Sequence, residues 1–246
     1  YFEPVTKKDY QKNKTIVIRA EWNQKDALEK DNVAYTIMRE KEEQKVLLVS
    51  KQNIFLEKVI STLDHVSLYK ANSIKEAKGS GTYDLYIFDN TMPEEIPNGN
   101  LLFINPKDSD ITKDLFQVEG KKKGAIVNVC EQKYTKMIDK DFSFGVNQYK
   151  QIEPTGKAEV FLQADRDKVG FLERIGNHQV AVLGFDLHAS DFALQMEFPI
   201  LMHQLLGDIL QGYILQESQI TAGEEYVVNQ VSYTKEQAGI YTIEGK

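Results

Sequence analysis

Three short runs of uninterrupted apolar residues constrain this chain more than any other feature: Val46 to Ser50 (Val-Leu-Leu-Val-Ser), residues 83 to 89 (Tyr-Asp-Leu-Tyr-Ile-Phe-Asp) and residues 101 to 105 (Leu-Leu-Phe-Ile-Asn). A strand with one wet face alternates apolar and polar residues. A strand that is apolar at nearly every position has both faces covered, as in parallel sheets with layers above and below. Asn53 can cap a helix whose apolar residues Ile54, Phe55, Val59, Ile60 and Leu63 fall close to one face. Val66 to Tyr69 is then a short second strand. Strand, helix and strand in this order predict an α/β domain with a Rossmann- or flavodoxin-like three-layer core.

The remainder is read by the same rules. Ala125 to Cys130 is a candidate strand and Tyr134 to Asp139 a short helix, while residues 106 to 124, with Lys121, Lys122 and Lys123, read as a polar, solvated stretch. Ala158 to Gln163, Val169 to Ile175 and Val180 to Asp186 are strands, the last two joined at Gly176-Asn177-His178 as a hairpin. From Phe198, the spacing of Ile200, Leu201, Leu205, Leu206, Ile209, Leu210 and Ile214 predicts a helix with Pro199 in its first turn. Residues 15 to 20 and 33 to 38 are β-rich, as are the runs starting at Gly223 and Gly239. The expected organisation is therefore a β-rich segment over 1–44, an α/β domain over 45–216 and a β-rich segment over 217–246.

Composition narrows the function. Lys plus Arg number 30 against 37 Asp plus Glu, a net charge of -7, which speaks against a broad electrostatic grip on nucleic acid. The one cysteine, Cys130, cannot form an internal disulfide. No stretch approaches the length of a membrane span, and Tyr1 opens neither a basic nor an apolar leader region. The abrupt start, and an end directly after a β-rich run, read as a piece of a longer chain.

Few groupings could carry chemistry. Cys130 with His188 or His203 would make a nucleophile and base, but a strained elbow needs small flanking residues, and Asn128 and Gln132 stand there. Asp186, His188 and Asp191 follow a strand's carboxyl end, where α/β sheets place their sites; they could bind a ligand, or satisfy turn donors and a cap. Asp89 and Asn105 close two further strands and join Asp186 as candidates for small-ligand sensing. No metal is expected, because one histidine with two aspartates lacks ligand spacing. No cofactor is expected either: Ser50-Lys-Gln-Asn-Ile-Phe contains none of the glycines of a dinucleotide cradle, and no P-loop is present.

Lys45-Val-Leu-Leu-Val-Ser with Asn53-Ile-Phe-Leu-Glu, Tyr83-Asp-Leu-Tyr-Ile-Phe-Asp with Asn100-Leu-Leu-Phe-Ile-Asn-Pro, and Val182-Leu-Gly-Phe-Asp-Leu-His-Ala-Ser-Asp-Phe leading to Phe198-Pro-Ile-Leu-Met form an ordered set. The set resembles the class I glutamine-amidotransferase-like domain of bacterial BatA-type proteins, membrane-anchored chains that also carry a von Willebrand factor A domain. The resemblance covers residues 45 to 215. Asp26 to Tyr35 is similar to the end of the immunoglobulin-like segment that precedes this domain in such proteins, and Gly239-Ile-Tyr-Thr-Ile to the β-rich segment that follows it. True amidotransferases use a cysteine at a glycine-flanked elbow with a downstream His-x-Glu, whereas here His188 is followed by Ala189 and Ser190. The resemblance thus implies the fold without the activity: a non-enzymatic domain that recognises or assembles with protein partners in the cell envelope, on the outer side of the membrane. The rival expectation is a hydrolase or amidase that uses Cys130.

Overall fold

The structure, a computed structural model, describes residues 15–21, 33–39, 43–77, 81–130, 135–211, 225–228 and 231–234, with side chains placed over 43–77, 81–130 and 135–210. The chain divides into two compact units, one formed by residues 1–42 with 216–246 and the other by residues 43–215. The first unit holds two antiparallel strand pairs: β1 (Thr15–Glu21) with β2 (Val33–Arg39), and β12 (Glu225–Val228) with β13 (Val231–Thr234). The β-rich run from Gly239 lies outside the described residues.

The second unit is built on one nine-stranded sheet. Its parallel half comprises β3 (Gln44–Val49), β4 (Val66–Ala71), β5 (Leu85–Asp89), β6 (Asn100–Ile104) and β11 (His178–Leu183). The antiparallel half comprises β7 (Phe116–Val129), β8 (Ser143–Pro154), β9 (Glu159–Ala164) and β10 (Asp167–Ile175). Across the sheet the order is β4-β3-β5-β6-β11-β10-β9-β7-β8. β5 and β6 are buried at every position, as continuous apolar runs require.

Alternation sorts these runs onto two cores. Val46, Leu48, Leu85, Ile87, Leu102, Ile104, Ala181 and Leu183 meet helix α1 (Ile54–Ile60) and helix α2 (Glu197–Gln211). Leu47, Val49, Tyr86, Phe88, Leu101, Phe103, Val180 and Val182 form the other face with Ile74, Ala77, Met92, Ile96 and Leu115. The sequence pattern predicted helices on both faces. Among the described residues, both helices lie on the first face and irregular segments cover the second. The domain is therefore mixed α/β with a large sheet and few helices.

Local chemistry fixes the helix ends. The Asn53 side chain accepts from the Leu56 amide at 3.1 Å and caps α1 as predicted. At its other end α2 would leave its last carbonyls unpaired. Side chains at the starts of three parallel strands meet them: Gln179 donates to Asp208 O, Asn100 to Ile209 O and Gln44 to Leu210 O, at 3.3, 2.9 and 3.0 Å. Asn100, fully buried, also accepts from the Gln179 amide at 2.9 Å.

Two readings of the middle of the chain are corrected and one strand is added. Lys121–Lys123 lie inside the fourteen-residue strand β7. β8 had no counterpart in the sequence pattern, and residues 135–138 form a turn where a helix was expected.

Candidate functional site

Because β3, β5, β6 and β11 run parallel, the residues after them share the carboxyl edge of the sheet. Asp89, 5% exposed, is the centre there. One carboxylate oxygen accepts from Ser50 Oγ at 2.7 Å and Asn53 Nδ2 at 3.0 Å, and the other from Asn90 Nδ2 at 3.1 Å. Asn90 in turn accepts from Asn105 Nδ2 at 2.6 Å. Asn90 and Asn105 both take left-handed backbone, at φ 55° and 51°, a region that asparagine enters more readily than most residues. Two of the residues singled out in the sequence, Asp89 and Asn105, thus belong to one network.

Lys150, on β8, joins this network from the antiparallel half. Its Nζ donates to the carbonyls of Asn105 and Pro106 at 3.1 and 2.6 Å. Burial lowers its pKa below the usual lysine value, the charges of Lys121 and Lys107 push the same way, and Asp186 opposes them. Asp186 caps its own turn by accepting from the His188 amide at 2.9 Å, and the His188 ring packs on Phe55 with centroids 5.4 Å apart. Asp186 therefore lies within electrostatic reach of Lys150, whose place at this edge the sequence did not reveal.

Asp191 is placed elsewhere. Its carboxylate accepts from the Gly145 amide at 2.8 Å, and its own amide donates to Gly145 O at 3.1 Å, so it pins β8. It borders an open groove of about 340 Å³ walled by Ala125, Val146, Asn147, His188 and Leu194. Among the described residues no group of three or more His, Cys, Asp or Glu is arranged to hold a metal ion.

Among the described residues no hydrogen bond joins Cys130 to a histidine. Cys130 follows β7, its amide donating to Phe161 O and its carbonyl accepting from Thr135 Oγ1, both at 2.9 Å. Burial pushes its thiol up, away from the thiolate a nucleophile needs. His188 borders the groove walled by Ala125 and Asp191. His203 is exposed on α2, and His178 Nδ1 lies 2.6 Å from Gly99 O.

No protein-family model and no curated protein matches the sequence. Among solved structures, the chain is similar to a ThuA-like protein from Bacteroides uniformis, at 13% identity and TM-score 0.50, over 69% of this chain and 92% of that one. It is also similar to a cytoplasmic protein from Salmonella typhimurium, at 10% identity and TM-score 0.48, over 79% and 96%. A ThuA-like protein from Parabacteroides merdae aligns at 10% identity and TM-score 0.46, over 72% and 93%. The α/β unit thus shares the fold of the ThuA-like protein from Bacteroides uniformis, a mixed α/β arrangement that fits the glutamine-amidotransferase-like fold. Among the described residues no helix is long and apolar enough to cross a membrane.

Proposed function

We propose that the 43–215 unit is a non-catalytic glutamine-amidotransferase-like domain that serves protein recognition or assembly within a membrane-anchored, BatA-type protein of the bacterial cell envelope. The observation that carries the non-catalytic reading is how the reactive groups are spent. Asp89 takes its three donors from Ser50, Asn53 and Asn90, while the Cys130 thiol is pushed up by burial with no histidine hydrogen-bonded to it among the described residues. Nucleophilic catalysis requires the reverse, a thiolate stabilised beside a base. The support for the envelope setting is the sequence resemblance over residues 45 to 215 and its β-rich flanks.

Alkylation of the chain by iodoacetamide at pH 7 tests the first part. Labelling of Cys130 is expected to be slow and unchanged by His188→Ala or His203→Ala; rapid labelling lost in either variant would replace this reading with the hydrolase. Fractionation of cells expressing the native full-length protein tests the second, with recovery in the membrane pellet expected and recovery in the cytosol overturning it.

A further inference from the structure

The β7–β8 ribbon carries charge in an arrangement that its own stability disfavours. Lys121 and Lys150 are direct cross-strand partners, so their side chains stand on the same face of the ribbon, and like charges in such a pair repel. A bulge creates the pair. Val118 faces Ile152, and continuing that register would set Gly120 opposite Lys150; the irregularity between Val118 and Lys121 moves Lys121 there instead. Gly120 sits at φ 107°, backbone that glycine enters without strain. Bulges recur where a side chain is re-aimed beside a site.

The same point gathers a third cation. Lys150 is anchored to the Asn105 and Pro106 carbonyls, and Lys107 follows directly. Neighbouring Lys122 points to the other face of the ribbon and is satisfied there by Asp167 at 2.6 Å and Gln151 at 3.1 Å. Among the described residues, neither Lys107 nor Lys121 has a carboxylate partner, and the nearby Asp186, which accepts from the His188 amide, opposes the three lysines with a single negative charge. The position is the carboxyl edge of β6, where open α/β sheets receive ligands.

We propose that Lys107, Lys121 and Lys150 form an anion-binding site beside Asn105, suited to the phosphate or carboxylate group of a small ligand. This goes beyond the recognition role and stands independently of any protein partner. An anion between Lys121 and Lys150 turns a repulsive cross-strand pair into two charge-assisted contacts, and the fixed Lys150 amine supplies a preorganised donor.

The test is titration of the full chain at low ionic strength, where charge interactions are least screened, with inorganic phosphate in one arm and glutarate in the other, followed by calorimetry. Saturable binding to one equivalent is expected. Lys121→Gln should weaken it about tenfold, the worth of one charge-assisted hydrogen bond, as should Lys107→Gln, while Lys58→Gln on α1 leaves it unchanged. Tighter phosphate binding assigns a phosphorylated ligand, and tighter glutarate binding a carboxylate. Both lysines are exposed, so these variants fold where Lys150→Gln, which removes donors to two carbonyls, could fail to. Absence of saturable binding in both arms, or binding indifferent to Lys107→Gln and Lys121→Gln together, overturns the site.

Discussion

Asn100 joins β6, β11 and α2 with one side chain, giving to Ile209 O and accepting from the Gln179 amide. Asn100→Leu removes both bonds and strands a buried donor and a buried acceptor, so a loss of about 2–4 kcal/mol is expected in urea unfolding. Glu173 presents the opposite case. It is 5% exposed, one of its carboxylate oxygens has no partner, and burial pushes its pKa up against the amides of Gly156 and Thr155. A carboxyl group whose folded pKa exceeds its unfolded value keeps its proton longer in the native state, so stability falls as pH rises from the unfolded value through the folded one. Glu173→Gln should therefore stabilise the protein at pH 7, by on the order of 1 kcal/mol, and lose that advantage below the ordinary glutamate pKa. Asp167 has the reverse sign: the hydrogen bond from Lys122 holds its pKa below the usual carboxylate value, and its contribution disappears as pH falls through that lowered value. Asn53 and Asp89 were legible in the sequence because capping and strand-end chemistry act over a few residues. Lys150 was not, because its partners Asn105 and Pro106 lie about 45 positions away.

At the scale of elements, β10 and β11 join the two halves of the sheet, and β8, the last strand of the order, returns to bridge the segment after β11. It crosses the end of β11 at Gly184, where the Lys150 amide donates to Gly184 O at 2.7 Å and an added Cβ would collide with the Lys150 backbone carbonyl. Gly184→Ala should cost about 1–3 kcal/mol or more, since backbone cannot move aside as a side chain does; a thermal melt measures it. Beneath β8, Phe192 stacks on Phe144 with centroids 4.2 Å apart and meets Phe198 edge-on at 5.2 Å. Phe192→Ala should cost about 3–5 kcal/mol by the same measurement. The parallel strands were readable because burial on both faces leaves continuous apolar runs. β8 was not, because its core positions Phe144 and Val146 change phase before Tyr149, which defeats a search for strict alternation. The first part of β7 escaped for a related reason: Glu119 to Gly124 stay largely exposed, and strand edges bearing lysines resist adventitious pairing, so a charged run that reads as a loop is a guarded strand.

Taken as a whole molecule, the 43–215 unit carries its own two-sided core, with both clusters drawn from residues 46 to 210 of the described chain. Expressed alone, this segment is expected to unfold in one cooperative transition; a broad or multistep melt would show that it depends on the other unit. The α/β class followed from the apolar runs, and of the antiparallel excursion between β6 and β11 the sequence showed β9, β10 and the end of β7 but neither β8 nor the first part of β7. That excursion has a consequence during synthesis. β6 finds its partner β11 about 79 residues later, and α2, which seals the same face, ends only at Gln211. At about 5–20 residues per second, the ribosome needs on the order of 5–20 s to deliver the roughly 100 residues after β6. Throughout that interval β6 is paired on one side only, by β5, and the nascent chain presents an open apolar strand edge of the kind that invites mispairing until β11 arrives.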